Sequence, residues 1–304
     1  MYKEQYKFEK STARLTIDRF RSLISNRGVG IVDSGPGLFF LCGANKSTGE
    51  LSERRLAIKD LVEAQVPGSS VIIAESFFKS YLESGGKRNL YDMEVNLSKV
   101  ADRIIVVLES ESAFCELGAF ANEHLREKML VVNDSKFRNS PSFINTGPLD
   151  AIRESVAHDP IMFYPMAENG VEVPDDIGDV FIELAELLRS SRRATRRKFV
   201  PSKLDPSSEV AKVRTLFVHD LIHLAGPLTY KSLIDLVSLL FGPKKYDAMR
   251  ETIALLKALG FIDYSESKDD ISTRMDRVFL EYPSEIVSIR MDLQMIRLRN
   301  NIRS

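Results

Sequence analysis

Residues 101–123 read ADRIIVVLESESAFCELGAFANE. Ile104 to Leu108 is an unbroken apolar run, the pattern of a strand buried on both faces of a parallel sheet. A short polar turn, Glu109-Ser110-Glu111-Ser112, follows it, and then a helix of small and apolar residues. This reading puts Glu116 in the first turn of the helix. In open parallel sheets the ligand crevice lies at the carboxyl ends of the strands, so Glu116 is the leading candidate for a catalytic group. Amides at a helix N-terminus favour the ionised carboxylate, which predicts a nucleophile or cation stabiliser and not a proton donor. Acidic residues also sit in first helical turns merely to complement the dipole, so the assignment depends on the rest of the chain.

Outward from this stretch, short Val/Ile/Leu runs keep alternating with helical patterns. Upstream are a strand from Leu38 to Cys42, a helix over 52–65 carrying Arg54 and Arg55, and a strand from Ser70 to Glu75. FFKSYLESGGKRN (77–89) follows, and its Gly85-Gly86 pair with flanking charges predicts a mobile excursion near the site. Downstream are strands at Met129 to Val132 and Ile161 to Tyr164, and a closing helix from about Asp175 to Arg189. The alternation predicts an α/β fold, a doubly wound parallel sheet of about five strands, Rossmann or flavodoxin-like. Before it, Phe8, Leu15, Phe20, Leu23 and Ile24 make a loose helical stripe, read as a lead-in helix.

The glycine at the end of the first strong strand lets a ligand approach the backbone. Gly43, Ala44, Asn45 and Ser47 are therefore candidate binders of ribose or phosphate, although an ordinary strand-to-helix turn has the same composition. Ser110 is a further substrate-binding candidate and Ser112 a catalytic one. Asp92 and Glu94 open the helix that leads into the 101–123 stretch and complete the catalytic candidates. No Walker pattern is present, and the glycines of GVGIVDSGPG (28–37) precede the strand and lack dinucleotide spacing, so they read as a turn-rich approach.

Beyond the sheet, RSSRRATRRKFVPSK (189–203) carries five arginines and two lysines without an acidic residue. Either a solvated linker or a polyanion contact has this composition; the second would use Arg192, Arg193, Arg196, Arg197 and Lys198 on phosphates. Three helices are predicted over 208–224, 229–241 and 244–259, followed by β-rich segments at Phe261 to Ser265 and Val278 to Tyr282. This is winged-helix order, an α+β domain, with Lys244, Lys245 and Arg250 at the start of the helix a duplex would meet. A last helix is predicted over 284–303. The expected division is a sheet domain over 1–188, a basic linker over 189–207, and a winged-helix domain over 208–304.

Composition supports two halves with different partners. The chain has 304 residues, 44% hydrophobic and 28% charged, and a net charge of -1. Residues 1–188 hold 21 Lys+Arg against 29 Asp+Glu, giving -8, while 189–304 hold 21 against 14, giving +7. No membrane-spanning run or export signal is apparent, which predicts a soluble cytoplasmic protein. Cys42 and Cys115 lack metal or redox spacing and read as core thiols. His219 and His223 have the i, i+4 spacing of a zinc helix, but Asp220 stands where a general base would be Glu and no third ligand is apparent. A structural pair and no metal are expected.

The sheet half resembles the nucleoside 2-deoxyribosyltransferase family. The resemblance lies in a strand ending at Gly43, an acidic residue (Asp92 or Glu94) opening the helix before ADRIIVVL, and Glu116-Leu117-Gly118-Ala119 after it. It implies that Glu116 attacks or stabilises an anomeric carbon. Where the family has an aspartate about six residues earlier, this chain has Ser110 and Glu111. The whole chain looks like a bacterial retron effector, the protein partnered with a reverse transcriptase and its multicopy single-stranded DNA. That resemblance implies an antiphage toxin, an N-glycosidase acting on NAD+ or a related nucleotide, controlled by the RNA–DNA hybrid in a higher-order assembly with its partners. No cofactor is implied, the nucleotide being the substrate. Alternatives are a deoxyribosyltransferase or nucleosidase, and a non-catalytic nucleotide-sensing winged-helix regulator.

Overall fold

The structure, a computed structural model, describes residues 11–31, 35–83, 85–190, 197–265 and 269–301. In chain order its first elements are α1 (Ser11–Arg27), β1 (Val29–Ile31), β2 (Gly37–Cys42), α2 (Glu53–Gln65), β3 (Ser69–Ile72), α3 (Ala74–Glu83), α4 (Leu90–Val100) and β4 (Arg103–Val107). Next come α5 (Glu111–Phe120), β5 (Met129–Asp134), α6 (Asp150–Glu154), β6 (Ile161–Tyr164) and α7 (Phe181–Ser190). The remainder is β7 (Arg197–Phe199), α8 (Pro201–Leu204), α9 (Lys212–Ala225), α10 (Tyr230–Phe241), α11 (Met249–Ala258), β8 (Ile262–Ser265), β9 (Asp270–Thr273) and α12 (Ile286–Asn301).

These elements form two compact units. One comprises 36–75 and 88–193; the other comprises the described residues of 1–35, 76–87 and 194–304. The lead-in helix and residues 76–87 group with the C-terminal residues and not with the sheet. For the lead-in helix the reason is packing: α1 lies against α10 and α12, with the Phe20 ring tilted against Phe217 and Tyr282, ring centroids 6.4 Å apart in each case.

Among the described residues, the sheet unit holds a five-stranded parallel sheet in the order β3-β2-β4-β5-β6, as its sequence predicts. Its central strands β2, β4 and β5 are buried on both faces, while the edge strand β3 is only partly buried. Phe39, Leu41, Ile105, Val107, Leu130 and Val132 join Ile58, Leu61, Val62, Leu184 and Leu188 of α2 and α7 in one core. The alternate residues face the other way, where Phe40 meets Phe120 of α5 edge-on at 5.8 Å, as the two-residue period of a strand requires. From β2 the chain steps outward to β3 and then crosses back to β4, so the topological switch point lies between the carboxyl ends of β2 and β4.

Boundaries differ from expectation at informative places. Residues 76–83 are helical and belong to α3, so Glu75 opens a helix instead of ending a strand. Val29–Ile31, expected as part of a turn-rich approach, is a strand paired antiparallel with Arg197–Phe199 inside the expected linker. In the other unit, three helices are followed by a two-stranded hairpin, but β8 pairs with β9 and not with 278–282. Asp269 at φ 44° turns the chain early, and buried Ile271 also bridges to Leu228. The later segment is taken by Asp220, whose carboxylate accepts the Phe279 and Leu280 amides at 2.8 and 2.9 Å and the Tyr282 hydroxyl at 3.1 Å.

Candidate active site

At the end of β2 the chain must turn sharply, and Gly43 does so at φ 156°. A Cβ there would lie 2.8 Å from Glu109 Oε1 and 3.0 Å from Arg55 Cδ, so only glycine fits. Glu109 ends the neighbouring strand segment, and its side chain is fully buried. It accepts from the Ala44 amide at 3.0 Å, Ser52 Oγ at 2.6 Å and Arg54 Nη1 at 3.2 Å. The two strand ends that flank the switch point are thereby tied together. Ser52 also caps α2, accepting from the Arg55 amide at 3.1 Å.

Both arginines at the start of α2 are buried, and they serve different ends. Arg54 donates through Nε to Tyr164 Oη at 2.7 Å and to Asp175, through Nη2 to Asp175 at 2.7 Å and to the Ala167 carbonyl at 2.6 Å. Arg55 donates to the Leu41 and Ala44 carbonyls at 3.1 and 3.2 Å and to Asn45 Oδ1 at 2.7 Å. It forms a two-pronged pair with Glu75 at 2.8 and 3.1 Å. Burial works against ionised Glu75, but the Arg55 pair carries its pKa below the usual range.

Glu116 lies in α5, where Ala113, Leu117 and Phe120 face the core. The helix is capped by Ser110, which accepts from the Ala113 amide at 3.3 Å, so it starts at Glu111, two residues earlier than expected, and Glu116 falls in the second turn. Helix-end amides no longer reach it. Its Oε2 is buried without a hydrogen-bond partner. Burial first, then the charges of Glu94 and Glu75, against the opposing pull of Arg55, push its pKa up to about 8. The expected resting carboxylate is therefore corrected: the free site holds Glu116 mostly as the neutral acid at pH 7. Glu94 is half-buried in α4, and burial followed by Glu75 raises its pKa also. The Cys42 thiol at the end of β2 is raised by burial, then Glu116 and Glu94. Glu116, Glu94, Glu75, Arg55 and Cys42 thus form one electrostatic cluster beside the switch point.

Other predicted residues fall elsewhere. Asp92 is exposed, its amide and carboxylate engaged by Asn89 at 2.9 and 2.7 Å; two residues from Glu94 on a helix, it faces away. Ser112 is exposed and bonds only to Ser110 Oγ, at 2.9 Å, among the hydrogen bonds described for it. Ala44 and Asn45 stand beside Arg55, whereas exposed Ser47 gives its amide to Glu172 at 2.8 Å. Gly118 is exposed with open space about it, so close packing does not explain it. Cys115, expected as a core thiol, is exposed, because it lies off the Ala113/Leu117/Phe120 face. The sequence reading missed Glu75, Glu109 and Asp175 and gave Arg54 and Arg55 no role. Two adjacent arginines in the first turn of a helix behind a strand-end glycine were the available signal.

In the helical unit, Lys244 and Lys245 are exposed but precede α11, which begins at Met249. Lys244 pairs with Asp205, and Arg250 lies over the Tyr230 ring at 5.1 Å. Lys198 is exposed in β7. Arg192, Arg193 and Arg196 lie outside the described residues, as does the side chain of Arg197. His219 is fully buried, with Nδ1 3.0 Å from Asp220 and its ring 4.2 Å from Phe279; no metal-binding cluster occurs among the described residues. No described helix is long and apolar enough to cross a membrane.

Comparison with known proteins places this architecture. Residues 50–264 match the family described as STM3845 retron effector protein. An Escherichia coli protein named "Retron Ec73 putative ribosyltransferase/DNA-binding protein" is 39% identical over 249 residues, covering 80% of this chain and 78% of that protein. The similarly named retron Ec86 protein, also from Escherichia coli, is 34% identical over 116 residues, 38% of this chain and 37% of its own. Matching over most of its length, the chain belongs to the STM3845 retron effector protein family.

Proposed function

We propose that the chain is the toxic enzyme of a retron antiphage defence, an N-glycosidase that hydrolyses NAD+ or a related nucleotide. The observation that carries this reading is Glu116 Oε2, buried and unpartnered at the carboxyl side of the sheet next to Glu94 and Arg55. Breaking the C1'–N bond of NAD+ sends the bonding pair to the ring nitrogen, and nicotinamide departs neutral without a proton donor. The ribosyl centre left behind is oxocarbenium-like, and a carboxylate against it is the stabiliser such a centre needs. Water then adds at C1' and gives up a proton. A cation brought to Glu116 favours the ionised carboxylate, so binding the charged ring releases the proton that the free site holds. The ribosyltransferase part of the relatives' names supports the same chemistry.

A second reading has one observation in its favour. Glu116, neutral at rest, stands near Glu94, and an acid beside a carboxylate is what cleavage of a neutral nucleoside requires. Incubating purified protein with NAD+ and, separately, with neutral nucleosides decides between them. Nicotinamide release that is lost in Glu116→Gln supports the first; base release from nucleosides alone supports the second.

For the helical unit we propose a winged helix that docks on the multicopy single-stranded DNA and its reverse transcriptase, in a higher-order assembly that restrains the enzyme. The order of three helices and a hairpin supports this, as does the DNA-binding part of the relatives' names. Arg192, Arg193, Arg196, Arg197 and Lys198 would supply phosphate contacts, with Lys245 and Arg250.

A further inference from the structure

We propose that Arg55 is a positioning residue that acts through Glu116: it fixes the Gly43–Asn45 loop and supplies the positive charge that faces the cluster's three carboxyl groups. The inference rests on Glu116 as the site carboxylate. Arg54 and Arg55 are adjacent, buried and at the start of one helix, which makes each a control for the other. Arg54 uses all three of its nitrogens on Tyr164, Asp175, Glu109 and Ala167, the pattern of a residue that holds structure together. Arg55 is 1% exposed, yet its Nε is buried without a partner. An unmet buried N–H costs stability, so tight packing alone does not account for it. Its other nitrogens hold the end of β2 through Leu41 and the loop through Ala44 and Asn45.

The charged groups that act on Glu116 come from three elements: Glu94 from α4, Arg55 from α2 and Glu75 from the start of α3; the Cys42 thiol at the end of β2 is kept neutral beside them. Three carboxyl groups face one guanidinium, and Glu75 neutralises much of that guanidinium by direct pairing. Ionising Glu116 for its task therefore depends on how much Arg55 charge reaches it. The pair is adjustable because the Glu75 side chain is 46% exposed, so a ligand or solvent change that loosens it raises the positive potential at Glu116.

The test reads the pH at which Glu116 titrates, in two ways. One is the rising limb of kcat/KM for NAD+ cleavage; the other, independent of activity, is the pH midpoint of the stability difference between each variant and the same variant carrying Glu116→Gln. Arg55→Met should move that midpoint to higher pH by at least about half a unit, roughly a threefold loss of kcat/KM on the limb. Glu75→Gln, at a half-exposed side chain, removes a like charge that acts on Glu116 and frees the Arg55 charge as well, so it should move the midpoint to lower pH, and by less when Arg55→Met is also present. Arg54→Met should lower Tm and leave the midpoint in place. Opposite shifts in the first two variants support the proposal, and if Arg55→Met does not fold, Arg55→Gln, a neutral side chain that can still donate to the Leu41 or Ala44 carbonyl, decides it by the same alkaline shift. An unmoved midpoint in the folded Arg55 variant overturns it. Glu116 itself fails separately, if Glu116→Gln still cleaves substrate.

Discussion

Glu116→Gln should make the protein more stable in alkaline solution while abolishing its activity. The wild-type carboxyl titrates near 4.5 when unfolded and at about 8 when folded. Above pH 4.5 the unfolded chain releases a proton that the native state keeps, so the native state loses stability steadily until its own pKa is passed near 8. At about 1.4 kcal/mol per pH unit, the whole window corresponds to roughly 5 kcal/mol. Glu116 keeps part of its surface in solvent, which screens the charge, so we expect about half, roughly 2–3 kcal/mol. Glutamine carries no titrating proton and lacks this loss. Near pH 4.5 the two proteins should melt together; by pH 9 the variant should melt about 5–10 °C higher, at roughly 2–4 °C per kcal/mol. Thermal unfolding of both proteins at half-unit steps from pH 4.5 to 9 measures this. Parallel curves, or a wild-type advantage that grows with pH, would refute the buried-acid reasoning.

The same ionisation predicts that kcat/KM for a cationic substrate rises with pH and levels off above about 8; a flat pH–rate profile between 6 and 9 would contradict it. Gly43→Ala should cost roughly 1–3 kcal/mol, because its Cβ would press on Glu109 and Arg55 from a backbone conformation that side chains avoid, and denaturant titration reads the loss. Glu109→Ala should cost more, about 3–5 kcal/mol, since it leaves buried Arg54 short of a charge partner and the Ala44 amide without its acceptor. Replacing Arg192, Arg193, Arg196 and Arg197 together should flatten the salt dependence of nucleic-acid binding by up to about four phosphate equivalents while leaving substrate cleavage intact; binding to branched RNA–DNA across a salt series measures it, and an unchanged slope would remove these residues from the interface.

The parallel sheet was legible because four of its five strands are largely buried and therefore written as continuous apolar runs: Leu38 to Cys42, Ile104 to Leu108, Met129 to Val132 and Ile161 to Tyr164 all lie in or overlap observed strands. The short strands outside this sheet carried no such signal. Val29–Ile31 is only three residues long and finds its partner about 170 positions away, a pairing that local pattern cannot announce. Glu116 stood out because it follows a strong strand by a short turn. Its ionisation did not, because a two-residue difference in where the helix starts separates a carboxylate that helix-end amides stabilise from one that burial and Glu94 suppress. Asp92 and Glu94 look equivalent in sequence, and only the helix register, with Met93 buried between them, separates the exposed one from the one beside the site.

The pairing of α1 with the last helix bears on how the chain is made. Arg19 bonds to Asp292 at 2.8 Å across 273 positions of sequence. At synthesis rates of about 5–20 residues per second, that partner emerges roughly 14–55 s after Arg19 does. Ile17, Phe20, Leu23 and Ile24, which end up buried, meet their first partners in this unit, Phe217 and α10, only about 200 positions later and their last with α12. Every strand of the five-stranded sheet lies before residue 165, so the half that carries Glu116 can assemble on the ribosome while the half that begins the chain is still waiting for its end. Translation order alone thus sets the candidate enzyme ahead of the unit proposed to restrain it.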